Sequence, residues 1–233
     1  MLLNNTIVDS KYAIILKDSS VNLIVENVIS ENYEGIHAYN SLNSTLYKNN
    51  ITYNLYNGIN FSGTNNIIFQ NCISNNSGNG MIFSNSYNNT ILENNISHNL
   101  ENGISFYSSS GEVNFNRIVG NNLYGLITND NCTVNATNNW WGTNNPTNLS
   151  TNGSDIYNNG GIVYHEAWLM LNLNGSVIHV THNSTSDSEI TVDLTHNNQG
   201  DNTSPYGTIP DGIPVNFTTT LGTINSTATT RKG

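Results

Sequence analysis

The chain has 233 residues and a net charge of −10, from 6 Lys+Arg against 16 Asp+Glu. Only 9% of residues are charged, against about 25% in a typical soluble domain, and asparagine stands in their place with 48 residues. So little Glu, Lys, Arg and Ala excludes a helical bundle or coiled coil. β-branched and aromatic residues are too frequent for disorder, and no apolar run reaches the ~18 residues of a membrane span.

Residues 1–165 carry 4 basic against 10 acidic residues, and residues 166–233 carry 2 against 6. Neither part has the basic footprint of a nucleic-acid binder. The opening residues Met1-Leu2-Leu3-Asn4-Asn5 contain no basic segment and no long apolar stretch, so no signal peptide is visible there.

A repeat runs from the first residues onward. Asn-x-Ile recurs with its isoleucines at Ile7, Ile29, Ile51, Ile73, Ile96 and Ile118, in steps of 22, 22, 22, 23 and 22 residues. A small-residue–apolar pair runs in phase: Ala13-Ile14, Gly35-Ile36, Gly58-Ile59, Gly80-Met81, Gly103-Ile104 and Gly125-Leu126. A third apolar column holds Ile24, Leu46, Ile68, Ile91 and Val113. Three short apolar segments per period, bounded by Asn, Gly or Ser, are too short for helices and predict three strands per coil. Stacked coils give an all-β, right-handed parallel β-helix of six to seven coils, a rod ~30 Å long at ~4.8 Å per coil.

The register assigns the asparagines. Asn5, Asn27, Asn49, Asn71, Asn94, Asn116 and Asn138 form one predicted ladder, and Asn32, Asn54, Asn76, Asn99 and Asn121 a second. Stacked amides bond along the axis, and Asn tolerates left-handed corners. Asn71→Leu is therefore expected to destabilise more than Asn79→Leu, by ~1–3 kcal/mol per stranded buried group. Cys72 and Cys132 fall nearly three coils apart and at different corners, beyond the ~7 Å Cα limit of a disulfide, so both are expected as free thiols.

The pattern changes at Asn139-Trp140-Trp141-Gly142. Trp140 is expected in the core and Trp141 as a cap, together plugging the end of the rod. A polar loop over 143–161 follows, and Ile162-Val163-Tyr164 with Trp168-Leu169 closes the coil. The predicted domains are 1–168, the β-helix, and 169–233, where strand-like segments at Leu169–Leu173, Val177–Val180, Glu189–Leu194 and Ile213–Thr220 suit an incomplete β-sandwich. With 65 residues there and a coil begun part-way at the start, the chain reads as a fragment of a longer protein.

Catalytic groups are sparse. Retaining or inverting glycosidases need two carboxylates ~5–9.5 Å apart, and no pair in the rod falls on adjacent coils of one groove with a cation beside it. Glu26 and Glu93 share a column with Lys48 and Gln70 between them, which reads as an outward polar row. His37 and His98 lie three coils apart and His179, His182 and His196 in the C-terminal part, so no metal site and no cofactor is expected. Tyr33 and Tyr56 share a column beside the Gly corner and are the candidate ligand-binding residues, since tyrosine combines a flat apolar ring with a hydroxyl.

These residues resemble known families. The 22-residue Asn-x-Ile … Gly-Ile coils look like the repeats of pectin-lyase-like proteins. Asn139-Trp140-Trp141-Gly142 … Val163-Tyr164-His165-Glu166-Ala167-Trp168-Leu169 is similar to the closing segment of such repeats in archaeal, methanogen-type adhesin-like surface proteins. Residues 190–224 resemble the invasin/intimin-type Ig-like domain. The resemblance implies an extracellular, non-enzymatic adhesin or stalk fragment whose partner is a glycan or a cell surface; from charge and apolar run length, no nucleic-acid partner and no membrane span are expected. A polysaccharide lyase or glycoside hydrolase is the alternative, and a copper-accessory β-helix using His37 or His98 the second.

Overall fold

The computed structural model describes residues 1–146, 155–175, 190–220 and 223–231. Every regular element among them is a β-strand, and none contains a helix long and apolar enough to cross a membrane. Three strands per coil build three faces of a parallel β-helix of about six regular coils. The first face stacks Tyr12–Lys17, Glu34–Leu42, Ile59–Thr64, Met81–Ser84, Ile104–Tyr107 and the start of Leu126–Asn135. The second includes Leu23–Val25, Thr45–Tyr47, Ile67–Phe69, Asn89–Leu92 and Ser110–Asn114, and the third Val28–Ser30, Asn50–Thr52, Cys72–Ser74, Asn95–Ser97 and Arg117–Val119. Pairing is parallel and in register, as in Ile51↔Ile73↔Ile96.

Alternation turns one side chain in two inward, and each face contributes a column to one core. Ile36, Ile59, Met81, Ile104 and Leu126 come from the first face, Leu46, Ile68, Ile91 and Val113 from the second, and Ile29, Ile51, Ile73 and Ile96 from the third, all at 0% exposure. Phe61, Phe83 and Phe106 stack through the centre, with ring centroids 6.0 and 5.0 Å apart. The Gly column exists because coils meet there: a Cβ on Gly80 would sit 2.6 Å from the carbonyl oxygen of Gly103.

Corners are held by side-chain amides. From Asn5 through Asn27, Asn49, Asn71, Asn94 and Asn116 to Asn139, each Nδ2 donates to Oδ1 of the next coil at 2.9–3.1 Å. Each Oδ1 also accepts the backbone N–H of the preceding ladder residue, as Asn71 does from Asn49. Asn32, Asn54, Asn76, Asn99 and Asn121 repeat the arrangement at a second corner. Next to the first ladder, Glu26, Lys48, Gln70, Glu93 and Phe115 all take the left-handed region, at φ 52–55°. That conformation costs a non-glycine residue ~1–2 kcal/mol, and the ladder bonds hold it in place. Tyr53, exposed and at φ 57°, occupies the equivalent place at the second corner. Tyr53→Gly is expected to raise stability by ~0.5–1 kcal/mol, relief of strain exceeding the added freedom of the unfolded chain. A lowered thermal midpoint would show instead that the tyrosine ring contributes packing.

Three sequence expectations change at the closing coil. The ladder ends at Asn139, not Asn138: Asn116 bonds to Asn139 Oδ1, and Asn138 takes the left-handed corner at φ 56°. The last step is therefore 23 residues. That slip exchanges the tryptophans, because one residue of register reverses every side chain. Trp141 enters the core at 3% exposure, while Trp140 pairs with Arg117 and faces outward. The predicted polar loop is also shorter, since Ile156–Tyr164 is a strand placing Ile156 on Leu126 and Val163 on Val134. Asn79, expected to be a tolerant position, is 5% exposed and hydrogen-bonded.

Beyond the rod, Leu169–Gly175 pairs with Ile190–Asn197, and Pro214–Asn216 with Thr227–Thr229, as two separate antiparallel sheets. The expected strand Val177–Val180, together with Glu189, His179 and His182, falls outside the described residues. Leu169, Leu194 and Ile209 close over Phe115 of the rod, with Leu92, Trp140, Leu171 and Ile213 around them. The C-terminal part thus shares a hydrophobic cluster with the flank of the β-helix.

Candidate functional site

The corner between the third and first faces brings together side chains that chemistry can use. Tyr12, Glu34, Asn57, Asn79 and Asn102 occupy equivalent positions on successive coils, by the register Tyr12↔Glu34, Ile36↔Ile59, Ile59↔Met81 and Met81↔Ile104. Glu34 is 3% exposed, a costly place for a carboxylate unless it is paired. Its Oε2 lies 2.8 Å from His37 Nδ1, and its Oε1 accepts from Asn57 Nδ2 at 3.2 Å. Asn79 continues the row, bonding Asn57 Oδ1 and Glu101 through its Nδ2 and accepting from Asn102 and Ser105 at Oδ1. Glu34 and Glu101 lie three coils apart, ~14 Å at ~4.8 Å per coil, too far for the two-carboxylate glycosidase arrangement.

One residue before this row, Tyr33 and Tyr56 stack outward, with centroids 5.7 Å apart and planes at 25°. They are 49% and 42% exposed, large for rings that are already in contact. The Tyr12 ring lies 5.0 Å from that of His37 and under Lys11 Nζ at 5.3 Å. An open depression of about 670 Å³, lined by Asp9, Lys11, Tyr12, Glu31, Tyr33 and Leu55, adjoins the pair. Farther along the first face, at the end of the strand Ile104–Tyr107, burial, then the charge of Glu101 and then Tyr56, raise the pKa of the Tyr107 hydroxyl above its ordinary value. The edge thus offers flat aromatic faces beside fixed polar groups.

Tyr33 and Tyr56, picked from the sequence, lie side by side. The structure adds Glu34–His37, joined at 2.8 Å, where the sequence offered His37 only as one of several scattered histidines. The pair is visible as Glu34-x-x-His37 once alternation sets both at the strand start. His98 takes the left-handed second corner, just past the third-face strand Asn95–Ser97, and lines a cleft with Lys48 and Arg117. Among the described residues no three of His, Cys, Asp or Glu cluster to hold a metal ion. Cys72 is half-buried and Cys132 buried, and both are free thiols. Glu93 bonds Gln70 Nε2 at 2.8 Å and the Thr208 N–H at 3.1 Å, so the outward polar row helps seat the C-terminal segment.

Comparison with known proteins gives one family and one fold neighbour. The profile described as the right handed beta helix region matches residues 1–141. No curated protein matches in sequence. Two crystal structures of the periplasmic alginate epimerase AlgG, a single and a double mutant, are similar in fold at 19% identity, with TM-scores of 0.55 and 0.50. The likeness covers 69% of this chain and 44% and 47% of theirs. The chain spans less than half the length of those structures.

Proposed function

Since the chain belongs to the right-handed β-helix family, a scaffold that does not by itself select a function, we propose that it is a non-enzymatic rod binding glycans along the Tyr33–Tyr56 edge. The observation that carries this is the exposed, stacked tyrosine pair on adjacent coils. Sugar rings stack on such faces, and the buried polar row behind them, bonded within itself, fixes the corner that presents the two rings. The setting proposed is the surface of a cell, in an adhesin-like protein of the methanogen type with the C-terminal part as an Ig-like module. That setting rests on the resemblance carried by Asn139-Trp140-Trp141-Gly142 and residues 190–224.

A glycan array followed by titration tests the reading. The Tyr33→Ala/Tyr56→Ala double variant is expected to weaken binding of the selected glycan ~5- to 150-fold, as two aromatic contacts of ~0.5–1.5 kcal/mol each allow. Unchanged affinity would remove the edge as the site. The second reading, a polysaccharide-modifying enzyme, is favoured by buried Glu34 holding His37 beside Tyr12, a geometry that orients an imidazole. Its support would be turnover of alginate, polygalacturonate or a neutral glucan that disappears in His37→Gln.

A further inference from the structure

The third face carries a second cleft, away from the tyrosine edge. The segment 208–214 passes over the flank of the rod, fastened by the Thr208 N–H on Glu93 at 3.1 Å and by Ile209, 1% exposed, in the cluster with Phe115. Beneath it lies a space of about 900 Å³, within the range of small-molecule sites. Lys48, Cys72, Asn95, His98 and Arg117 line it from the rod, and Asp211 from the segment above.

Charge is the first anomaly. The chain has only 6 Lys+Arg and a net charge of −10, yet two of the six and a histidine meet in this one cleft. Asp211, the single carboxylate of the lining, has interactions of its own. Glu93 is spent on Gln70 and Thr208.

Arg117 is the second. It projects outward from the third face, in register with Asn95 and Trp140. Nη1 donates to Asn95 Oδ1 at 2.9 Å, but Nε is buried without a partner. Among the described residues no carboxylate lies within ion-pair distance of it. Burial lowers its pKa, with Cys72 opposing the shift. A desolvated guanidinium without a counter-ion is unfavourable, and its fork matches a carboxylate.

We propose that the cleft between the third face and residues 208–214 binds a small carboxylate ligand, with Arg117 as the anchor and Lys48 as the second cation. This site is independent of the tyrosine edge. Two sources share the chemistry, an acidic sugar and a free organic acid, and the volume admits either.

Calorimetric titration of the whole chain with digalacturonate, its neutral methyl ester and citrate tests the site. Digalacturonate, citrate or both are expected to bind and the ester not to. Arg117→Gln should weaken binding at least ~10-fold, the scale of a charged hydrogen bond, and rising salt should weaken it further. Digalacturonate binding alone assigns an acidic sugar, and citrate binding alone a free organic acid. Lys48→Gln, at an exposed corner, gives a smaller loss without threatening the fold. Tyr33→Ala/Tyr56→Ala should leave this binding unchanged while weakening glycan binding at the edge, so the two sites fail separately. Equal binding of ester and acid, no binding of either acid, or unaltered affinity in both the Arg117 and Lys48 variants would overturn the proposal.

Discussion

Asn71→Leu is expected to cost on the order of 4 kcal/mol in stability, while Asn122→Leu stays within ~0.5 kcal/mol, each measured by urea unfolding. Asn71 Oδ1 accepts both the backbone N–H and Nδ2 of Asn49, and its own Nδ2 donates to the carbonyls of Leu46 and Phe69 and to Asn94. Leucine has similar volume but leaves two donors of Asn49 without an acceptor at a site 1% exposed. Each such group costs ~1–3 kcal/mol. Asn122 is exposed, so its replacement strands nothing. Asn79 is not a suitable control, because it lies in the buried row through Asn57 and Asn102. Equal midpoints for the Asn71 and Asn122 variants would mean that the ladder adds nothing to stability.

Phe83→Ala is expected to cost ~3–5 kcal/mol, the range for truncating a buried aromatic ring. Phe83 is 0% exposed and stands between Phe61 and Phe106. Its loss removes contacts on both sides and opens a void at mid-rod. The strand pairings Met81↔Ile59 and Met81↔Ile104 tie the backbone to both neighbouring coils, so collapse of the void is restricted. Tyr39→Ala, at an outward position 55% exposed, is the comparison and should shift stability by less than ~1 kcal/mol. A loss below ~1 kcal/mol at Phe83 would show that the interior repacks as a soft core.

The regular coils could be read from the sequence because every repeat obeys the same physics. An isoleucine every 22 or 23 residues must face one interior, and that spacing sets the columns of Ile51, Ile73 and Ile96. The closing coil could not be read, since a one-residue slip between Asn116 and Asn139 leaves no mark in composition and exchanges Trp140 with Trp141. Tyr33 and Tyr56 were recognisable because identical residues on adjacent coils must be neighbours. Asn57, Asn79 and Asn102, each just before its glycine, carried the same kind of signal, an Asn-Gly step on three successive coils; Glu34 at the head of the column breaks it, so that carboxylate's place in the row became visible only through the pairing. The cleft around Arg117 was out of reach, because its roof comes from residues about 90 positions further along, and no local pattern states where that segment lands.

The bonds that join coil to coil along the ladders run between neutral amides. Neither acid nor salt acts directly on such a contact: there is no proton to add in the ordinary pH range and no ion pair to screen. Both ion pairs among the described residues involve histidine, at His37 and His196, and neither belongs to a ladder. A scaffold joined in this way should hold its shape across changes of acidity and salinity that would loosen a protein relying on surface charge, leaving the exposed edge and the cleft as the parts that respond to their surroundings.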